Sequence, residues 1–324
     1  MSNCAPLTVT VLAGGISHER EVSLRSGRRV SDALHSRGHH ITLADPDASL
    51  FTNLKTTSPD VIWPAVHGFS GEDGALLGLL EVSGLAYVGP SASAARLAWA
   101  KPVAKTLVAR AGVDTPESIT LAREAFRELG AATVLDLIST ALGESLVVKP
   151  ASGGSAQGVT IVTRADQLPR AMVDAYTYSD VALIERHIAG VEVSVTVIDT
   201  GDGPRALPAV EIVPLDGVYS FEARYNAGET NFFVPARVSD AVTARIADVA
   251  VTVHETLGLD YLSRIDLIID ALGTPWFLEA NALPGLTETS SAPIAIEAAG
   301  FEPGELYEAL AQRAFVAGAR SSAT

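Results

Sequence analysis

"LSRIDLIID" (262–270), "ALGTP" (271–275) and "WFLEANALPG" (276–285) run on from one another, two apolar stretches flanking a turn marked by Gly and Pro. Each stretch carries polar residues two positions apart: Arg264 and Asp266 in the first, Glu279 and Asn281 in the second. In a strand that spacing puts both side chains of a pair on one face. An antiparallel hairpin with Asp270 opposite Pro275 sets Asp266 across from Glu279 and Arg264 across from Asn281, so all four converge. A two-residue slip of register keeps them together; a one-residue slip scatters them. Two carboxylates opposed at cross-strand distance repel unless a cation lies between them. Oxygen ligands from Asp, Glu and Asn suit Mg²⁺, which commonly keeps waters and substrate phosphates as its other ligands. The plainer alternative is an Arg264–Asp266 pair on an exposed polar sheet face. Four polar side chains gathered on otherwise apolar strands favour the metal–phosphate reading.

A phosphate needs donors. The chain has no GxxxxGK[ST] loop and no GxGxxG after its first apolar run, which leaves neither a Walker NTPase nor a dinucleotide-binding oxidoreductase supported. "VVKPASGGSAQGV" (147–159) does offer Lys149 at a strand end, followed by a loop of small residues, 153–158, whose N–H groups suit phosphate oxygens. A glycine-rich hairpin turn has the same appearance.

Outward from these segments, strands alternate with helices near the N-terminus. "LTVTVLAGG" (7–15), "HITLADP" (40–46), "DVIWPAVHG" (60–68) and "AYVGP" (86–90) read as strands, with helices over 19–38 and 71–84. That alternation predicts a doubly wound, parallel α/β domain over residues 1–94. A helical stretch, "SASAARLAWAKPVAKTLVARAG" (91–112), leads into a smaller α+β region, 95–184, where "SLVVKPASGGSAQGVTIV" (145–162) predicts two strands about a glycine turn. From 185 to 324 β-branched strands dominate, broken by the helix "SDAVTARIADVAVTVHETLG" (239–258).

The 324 residues are 48% hydrophobic, so the chain can bury a large core across two or three domains. A formal net charge of −15 argues against binding nucleic acid or anionic membrane, which needs a positive field. Cys4 is the single cysteine, which rules out an intrachain disulfide or a Cys-based metal site. With no Lys or Arg before Arg20, no signal-like segment and no run of membrane-spanning length, the expected setting is the cytoplasm.

Taken in order along nearly the whole chain, "LAGGISHEREVSLRSG", "AVHGFSGEDGALLGLLEVSGLAYVG", "VVKPASGGSAQGV", "LIERHIAGVEVSV", "YNAGETNFFVPA", "SRIDLIID" and "FLEANALPGLTETS" resemble the D-alanine–D-alanine ligases of the ATP-grasp superfamily. "HGFSGEDG" and "LEANALPGLTETS" are the specific strings; the glycine loop is not. The resemblance implies a two-part α+β ATP-grasp domain after the N-terminal one. It also implies an enzyme that phosphorylates one amino acid's carboxylate with ATP and lets a second amino acid's amine displace phosphate, for peptidoglycan synthesis.

Carried over by motif, Asp266, Glu279 and Asn281 would hold two Mg²⁺ ions (Mn²⁺ being the alternative), and Lys101 and Lys149 would contact phosphate. Glu185, the Arg186 backbone and Ile188 would meet adenine, and Glu192 the ribose. Arg264 would stabilise the oxyanion of the tetrahedral intermediate. Ser155, Tyr225 and Glu19 would close over the substrates, with Glu19 taking the first ammonium, His67 lining the first subsite, and Arg224 and Ser290 receiving the second carboxylate. Without the resemblance, Lys101 reads as a solvated helix residue, His67 as structural, and Glu19 as an acid favoured near a helix start. The resemblance also implies a homodimer. Departures fall at Gly153, Ala156 and Gln157 in the loop, at Arg224 where a lysine is usual, and at Thr289. They leave open the same chemistry on D-Ser, D-lactate or amino acids of a specialised pathway, and a non-catalytic nucleotide-binding module stands as the reading from another class.

Overall fold

The computed structural model describes residues 5–217, 219–226 and 228–321; Cys4 lies outside them. The first sheet is parallel, in the order β2-β1-β3, from β1 (Thr8–Leu12), β2 (His40–Ala44) and β3 (Val61–Pro64). β1 is central and almost wholly buried, as the continuous apolar run of a two-sided parallel strand requires, whereas edge strand β2 stays largely exposed. The expected fourth strand, 86–90, reduces to a single parallel bridge, Ile62 to Tyr87. Pro64, next in line to donate to Val88, and Pro90 beyond it have no N–H to continue the ladder.

The anticipated long helix over 91–112 divides into Ala92–Trp99 and Lys101–Arg110. Ala100 leaves helical geometry with ψ 84°, and Pro102 sits in the first turn of the second helix, where its missing N–H is harmless. The break lets the second helix point Lys101 and Lys105 inward, both buried.

The middle sheet is antiparallel, β4-β7-β5-β6, built from β4 (Ser118–Ala122), β5 (Leu146–Pro150), β6 (Thr160–Val162) and β7 (Val181–Arg186). The glycine turn between β5 and β6 forms as expected, pairing Leu146 with Val162 and Val148 with Thr160. This unit has its own core, including Ile138, Leu146, Val148, Met172 and Ile184. β7 runs on to Arg186, so the boundary expected at 184 falls inside a strand.

The third sheet orders β11-β10-β8-β12-β13, with β9 on β8; its strands are β8 (Val191–Ile198), β9 (Arg205–Ala206), β10 (Val210–Pro214), β11 (Thr230–Phe233), β12 (Leu262–Ile269) and β13 (Pro275–Asn281). Helix Asp240–Thr256 covers it, joining Ile246, Ala250 and Val253 to a core that includes Val193, Val195, Ile265, Leu267 and Phe277.

The hairpin that decides the site differs from expectation at its turn. Ile269, not Asp270, lies opposite Pro275. Asp270 instead closes the turn: its carboxylate accepts from the N–H groups of Leu272 and Thr274 and from the Trp276 indole, each at 2.9 Å. That one-residue shift alone would set Asp266 against Leu278. The register changes between Asp266 and Leu267, leaving Leu278 as the extra residue of a β-bulge, and beyond it Asp266 faces Glu279 and Arg264 faces Asn281. All four polar residues therefore converge as the sequence spacing requires.

Candidate active site

On the β12–β13 face the two carboxylates are held apart by being paired separately. Arg264 grips Asp266 with Nε to Oδ1 and Nη2 to Oδ2, both 2.9 Å. Glu279 meets Lys101 Nζ at 3.0 Å. Burial opposes ionisation of Glu279, but Lys101, Lys149 and Arg224 outweigh it and hold the carboxyl down at about 2. Glu192, opposite Ile268 on β8, goes the other way: burial, aided by Asp266 and Glu279 against the pull of Arg224, raises it to about 7. Among the described residues no group of three or more His, Cys, Asp or Glu forms a metal-holding cluster. The candidate set is thus two carboxylates and the Asn281 carboxamide, all hard oxygen donors.

Lys101 also donates to the Gly153 carbonyl at 2.5 Å, tying its helix to the glycine loop. In that loop Ser155 and Ala156 adopt left-handed φ values of 52° and 56°, which L-residues accept only when the surroundings hold them there. The conformation aims Ser155 Oγ at the Glu19 carboxylate, to which it donates, and brings it to 2.6 Å from the Tyr225 hydroxyl. Glu19 occupies the N-cap position of helix Arg20–Ser36 yet makes no capping bond there. Gly68 allows this arrangement: its φ is 74°, and a Cβ would stand 2.3 Å from Glu19 Oε2. Burial, then Glu72, raises the Glu19 pKa above the usual carboxylate range. His67 hydrogen-bonds Ser26 at 2.9 Å, with its Nδ1 3.7 Å from Glu72.

These groups line two abutting cavities. The smaller, about 30 Å³, is walled by Glu19, His67, Ser155, Tyr225, Arg264, Asn281 and Ser290 among others. The larger, about 740 Å³, lies between the middle and third sheets and takes in Lys101, Lys149, Glu185, Arg186, Ile188, Glu192 and Glu279. Gly154, Ile212, Tyr219, Arg224 and Asp266 border both. Arg224 stacks its guanidinium 4.1 Å from the Tyr219 ring centroid, at that junction. Ser290 Oγ lies 2.8 Å from the Thr287 hydroxyl at the mouth of helix Ser291–Ala298. The departures Ala156 and Gln157 line the larger cavity and Thr289 the smaller.

Every expected site residue therefore reaches one cavity or the other. Sequence reasoning passed over Glu72, Tyr219 and Lys105. Glu72 stands inside the quoted "HGFSGEDG", and Lys105 follows Lys101 by four positions, one helical turn along the same face, a spacing that could have flagged it.

Two antiparallel sheets closing on a lysine- and carboxylate-lined cleft, preceded by a parallel α/β unit, define the ATP-grasp class of ligase. The family described as "D-ala D-ala ligase C-terminus" matches residues 107–312. The D-alanine–D-alanine ligase of Anaeromyxobacter sp. (strain Fw109-5) is 40% identical over 300 residues, 93% of this chain and 94% of that one. The D-alanine–D-alanine ligase of Gloeobacter violaceus is 40% identical over 311 residues, covering 95% and 99%. The structure of the Bacillus anthracis D-alanine–D-alanine ligase complexed with ATP shares the fold, with a TM-score of 0.78 over 97% of this chain and 99% of that chain at 24% identity. The chain belongs to the D-alanine–D-alanine ligase family.

Proposed function

We propose that the protein joins two D-alanines with ATP, through an acyl phosphate, to make the dipeptide used in peptidoglycan synthesis. The observation that carries this is the pair of abutting cavities, one of nucleotide size with buried lysines, one small and polar, sharing Asp266 and Arg224 as a wall. Lys101 and Lys149 bind the phosphates, and Glu185, Arg186, Ile188 and Glu192 hold the nucleoside in the larger cavity. Glu19 takes the first ammonium beside His67. The first carboxylate oxygen then attacks the γ-phosphorus and ADP departs. Ser290 and Arg224 take the second carboxylate, a bidentate task for a guanidinium. The second, neutral amine attacks the acyl carbon, Arg264 stabilises the oxyanion, and phosphate leaves as the C–O bond breaks. Ser155 and Tyr225 close over the reactants and exclude water.

Asp266, Glu279 and Asn281 fit two Mg²⁺ ions in donor chemistry, with Mn²⁺ as the alternative, because two cross-strand carboxylates and a carboxamide lining the cavities offer the oxygen ligands such ions take. When bound, the ions neutralise phosphate charge. We assign residues 1–94 to an N-terminal domain and the rest to two ATP-grasp subdomains that divide after β7 at Arg186 rather than at 184, and we assign a homodimeric assembly and a cytoplasmic setting. No described helix is long and apolar enough to cross a membrane.

The test is phosphate release with ATP and D-Ala, D-Ser, D-lactate or L-Ala as second substrate, with the product read by mass. D-Ala-D-Ala with ADP and phosphate is expected, and hydroxylamine should divert the acyl phosphate to a hydroxamate. AMP and pyrophosphate, or turnover only with another amino acid, would overturn the mechanism or the substrate respectively.

A further inference from the structure

Lys105 touches neither cavity, yet it is one of the most thoroughly buried lysines of the chain, 4% exposed. Its Nζ donates to Glu185 Oε1 and, at 2.9 Å, to the carbonyl of Pro116. The other oxygen of Glu185, Oε2, lies 2.5 Å from Lys149 Nζ. Glu185 is itself 1% exposed, so a carboxylate in that position is expensive unless its charge is met.

The two lysines differ in what they are free to do. Lys149 faces the larger cavity, where an anionic nucleotide would draw its ammonium toward phosphate. Lys105 is anchored from behind by the Pro116 carbonyl and has no route to the ligand. When Lys149 is shared with phosphate, Lys105 is the cation that remains with Glu185. Strand register shows what stands around that carboxylate. Glu185 pairs with Val147 across β5–β7, and Val147 pairs with Ile161 across β5–β6, so these apolar side chains share one sheet face with it. Val147, Ile161 and Glu185 all line the larger cavity, an apolar surface suited to a flat ring with a single carboxylate beside it.

We propose that Lys105 is a positioning residue for base selection: from behind the cavity it keeps Glu185 an ionised, acceptor-only group, so that the site takes a purine with an amino group at C6 and rejects one with a carbonyl there. This rests on the reading that the larger cavity holds the nucleotide. An ionised carboxylate accepts hydrogen bonds and donates none, whereas its protonated form can donate to a carbonyl. Burial alone would favour the protonated form; the two lysines reverse that and hold the Glu185 pKa below its ordinary value. Burial also pushes the Lys105 pKa down, and the attraction of Glu185 opposes that shift.

The experiment compares ATP with ITP, in which the C6 amino group becomes a carbonyl and N1 carries a proton, by kcat/KM at pH 7. Binding of ADP and IDP by calorimetry provides a second readout. The wild-type protein should prefer the adenine nucleotide by about a hundredfold or more, since a site built to meet an N–H donor rejects the analogue lacking it. In Lys105→Met that ratio should fall about tenfold or more, and fall further as pH is lowered from 8 to 6 and Glu185 takes up a proton. Lys105→Gln keeps N–H donors for Glu185 and Pro116 without the charge and should show the same loss; it carries the test if the Met variant does not fold. A wild-type ratio near one, or a variant that weakens ATP and ITP equally, overturns the proposal, because a purely structural lysine would affect both alike. Absence of dipeptide with an intact ADP-over-IDP preference would instead count against the ligase reading and leave this one standing.

Discussion

Glu279 stands on an otherwise apolar strand, and three cations keep it ionised at about 2: Lys101, Lys149 and Arg224. Spacing alone suggests that neutralising one of two opposed carboxylates relieves repulsion. The structure reverses that sign, because Glu279 and Asp266 are each matched to a cation of their own. Glu279→Gln should therefore destabilise the metal-free protein by about 3–5 kcal/mol, the usual consequence of leaving a buried cation unmatched. It should also lower turnover about a hundredfold or more at saturating Mg²⁺. Urea denaturation and initial rates check the two arms; a variant as stable and active as wild type would remove Glu279 from both roles. The convergence of Arg264, Asp266, Glu279 and Asn281 was legible from spacing, because a period of two survives any even slip. The pairing of each carboxylate with its own cation was less so: the Arg264–Asp266 partnership lies two positions apart on one strand and was on view, while Lys101 comes from a helix 178 positions before Glu279 and no local pattern announces the contact.

Helix Asp240–Thr256 is pinned to β12 by His254, whose Nδ1 lies 2.8 Å from Ser263 Oγ, both residues buried. Burial lowers the His254 pKa from 6.5 to about 4, although Asp260 and Asp199 pull the other way. The unfolded chain thus binds this proton more readily than the folded one. Stability is complete above about pH 6.5 and declines as pH falls toward 4, by about 3 kcal/mol in full and about 2 kcal/mol between pH 7 and 5. His254→Gln should keep a hydrogen-bonding group and lose that slope, so denaturant unfolding at pH 7 and pH 5 should show the wild type falling about 2 kcal/mol further than the variant. Parallel falls would mean that His254 stays neutral in both states. At this scale the sequence read well where periodicity was strong, as in β1, the helix Arg20–Ser36 and the β5–β6 turn. It read less well where a residue or two decide: Ala100 breaks a helix, Pro64 and Pro90 cut a strand to one bridge, and Asp270 leaves its ladder to close a turn, shifting a register that only the bulge at Leu278 restores.

The middle sheet has a core of its own while the first and third share theirs, and one hydrogen-bonded chain links all three: Glu19 beside the first, Ser155 from the middle, and Tyr225 beside the third. No sequence pattern links positions 19, 155 and 225; only the family resemblance grouped them, because their meeting depends on how whole sheets pack. Ser155→Ala removes the hydroxyl that joins the other two and keeps a non-glycine residue at the same left-handed φ, so backbone strain is unchanged. Because the hydroxyl belongs to none of the apolar cores, the unfolding temperature should move by only a few degrees. Closure should weaken more: loss of a hydrogen bond to a charged group, about 1.5–3 kcal/mol, corresponds to about a ten- to hundredfold loss in kcat/KM for the first amino acid. The pH dependence gives a sharper signature. Burial, then Glu72, raises the Glu19 pKa, and the Ser155 hydroxyl counters this by stabilising the ionised form. Without it the Glu19 pKa rises further. If Glu19 must be ionised to take the substrate's ammonium, the acidic limb of the kcat/KM profile moves to higher pH in Ser155→Ala, and activity at the low end of the range falls more than activity at pH 8. A profile that drops uniformly with its limb in place would show that Ser155 acts on closure alone, and that Glu19 is not the group whose ionisation admits the first amino acid.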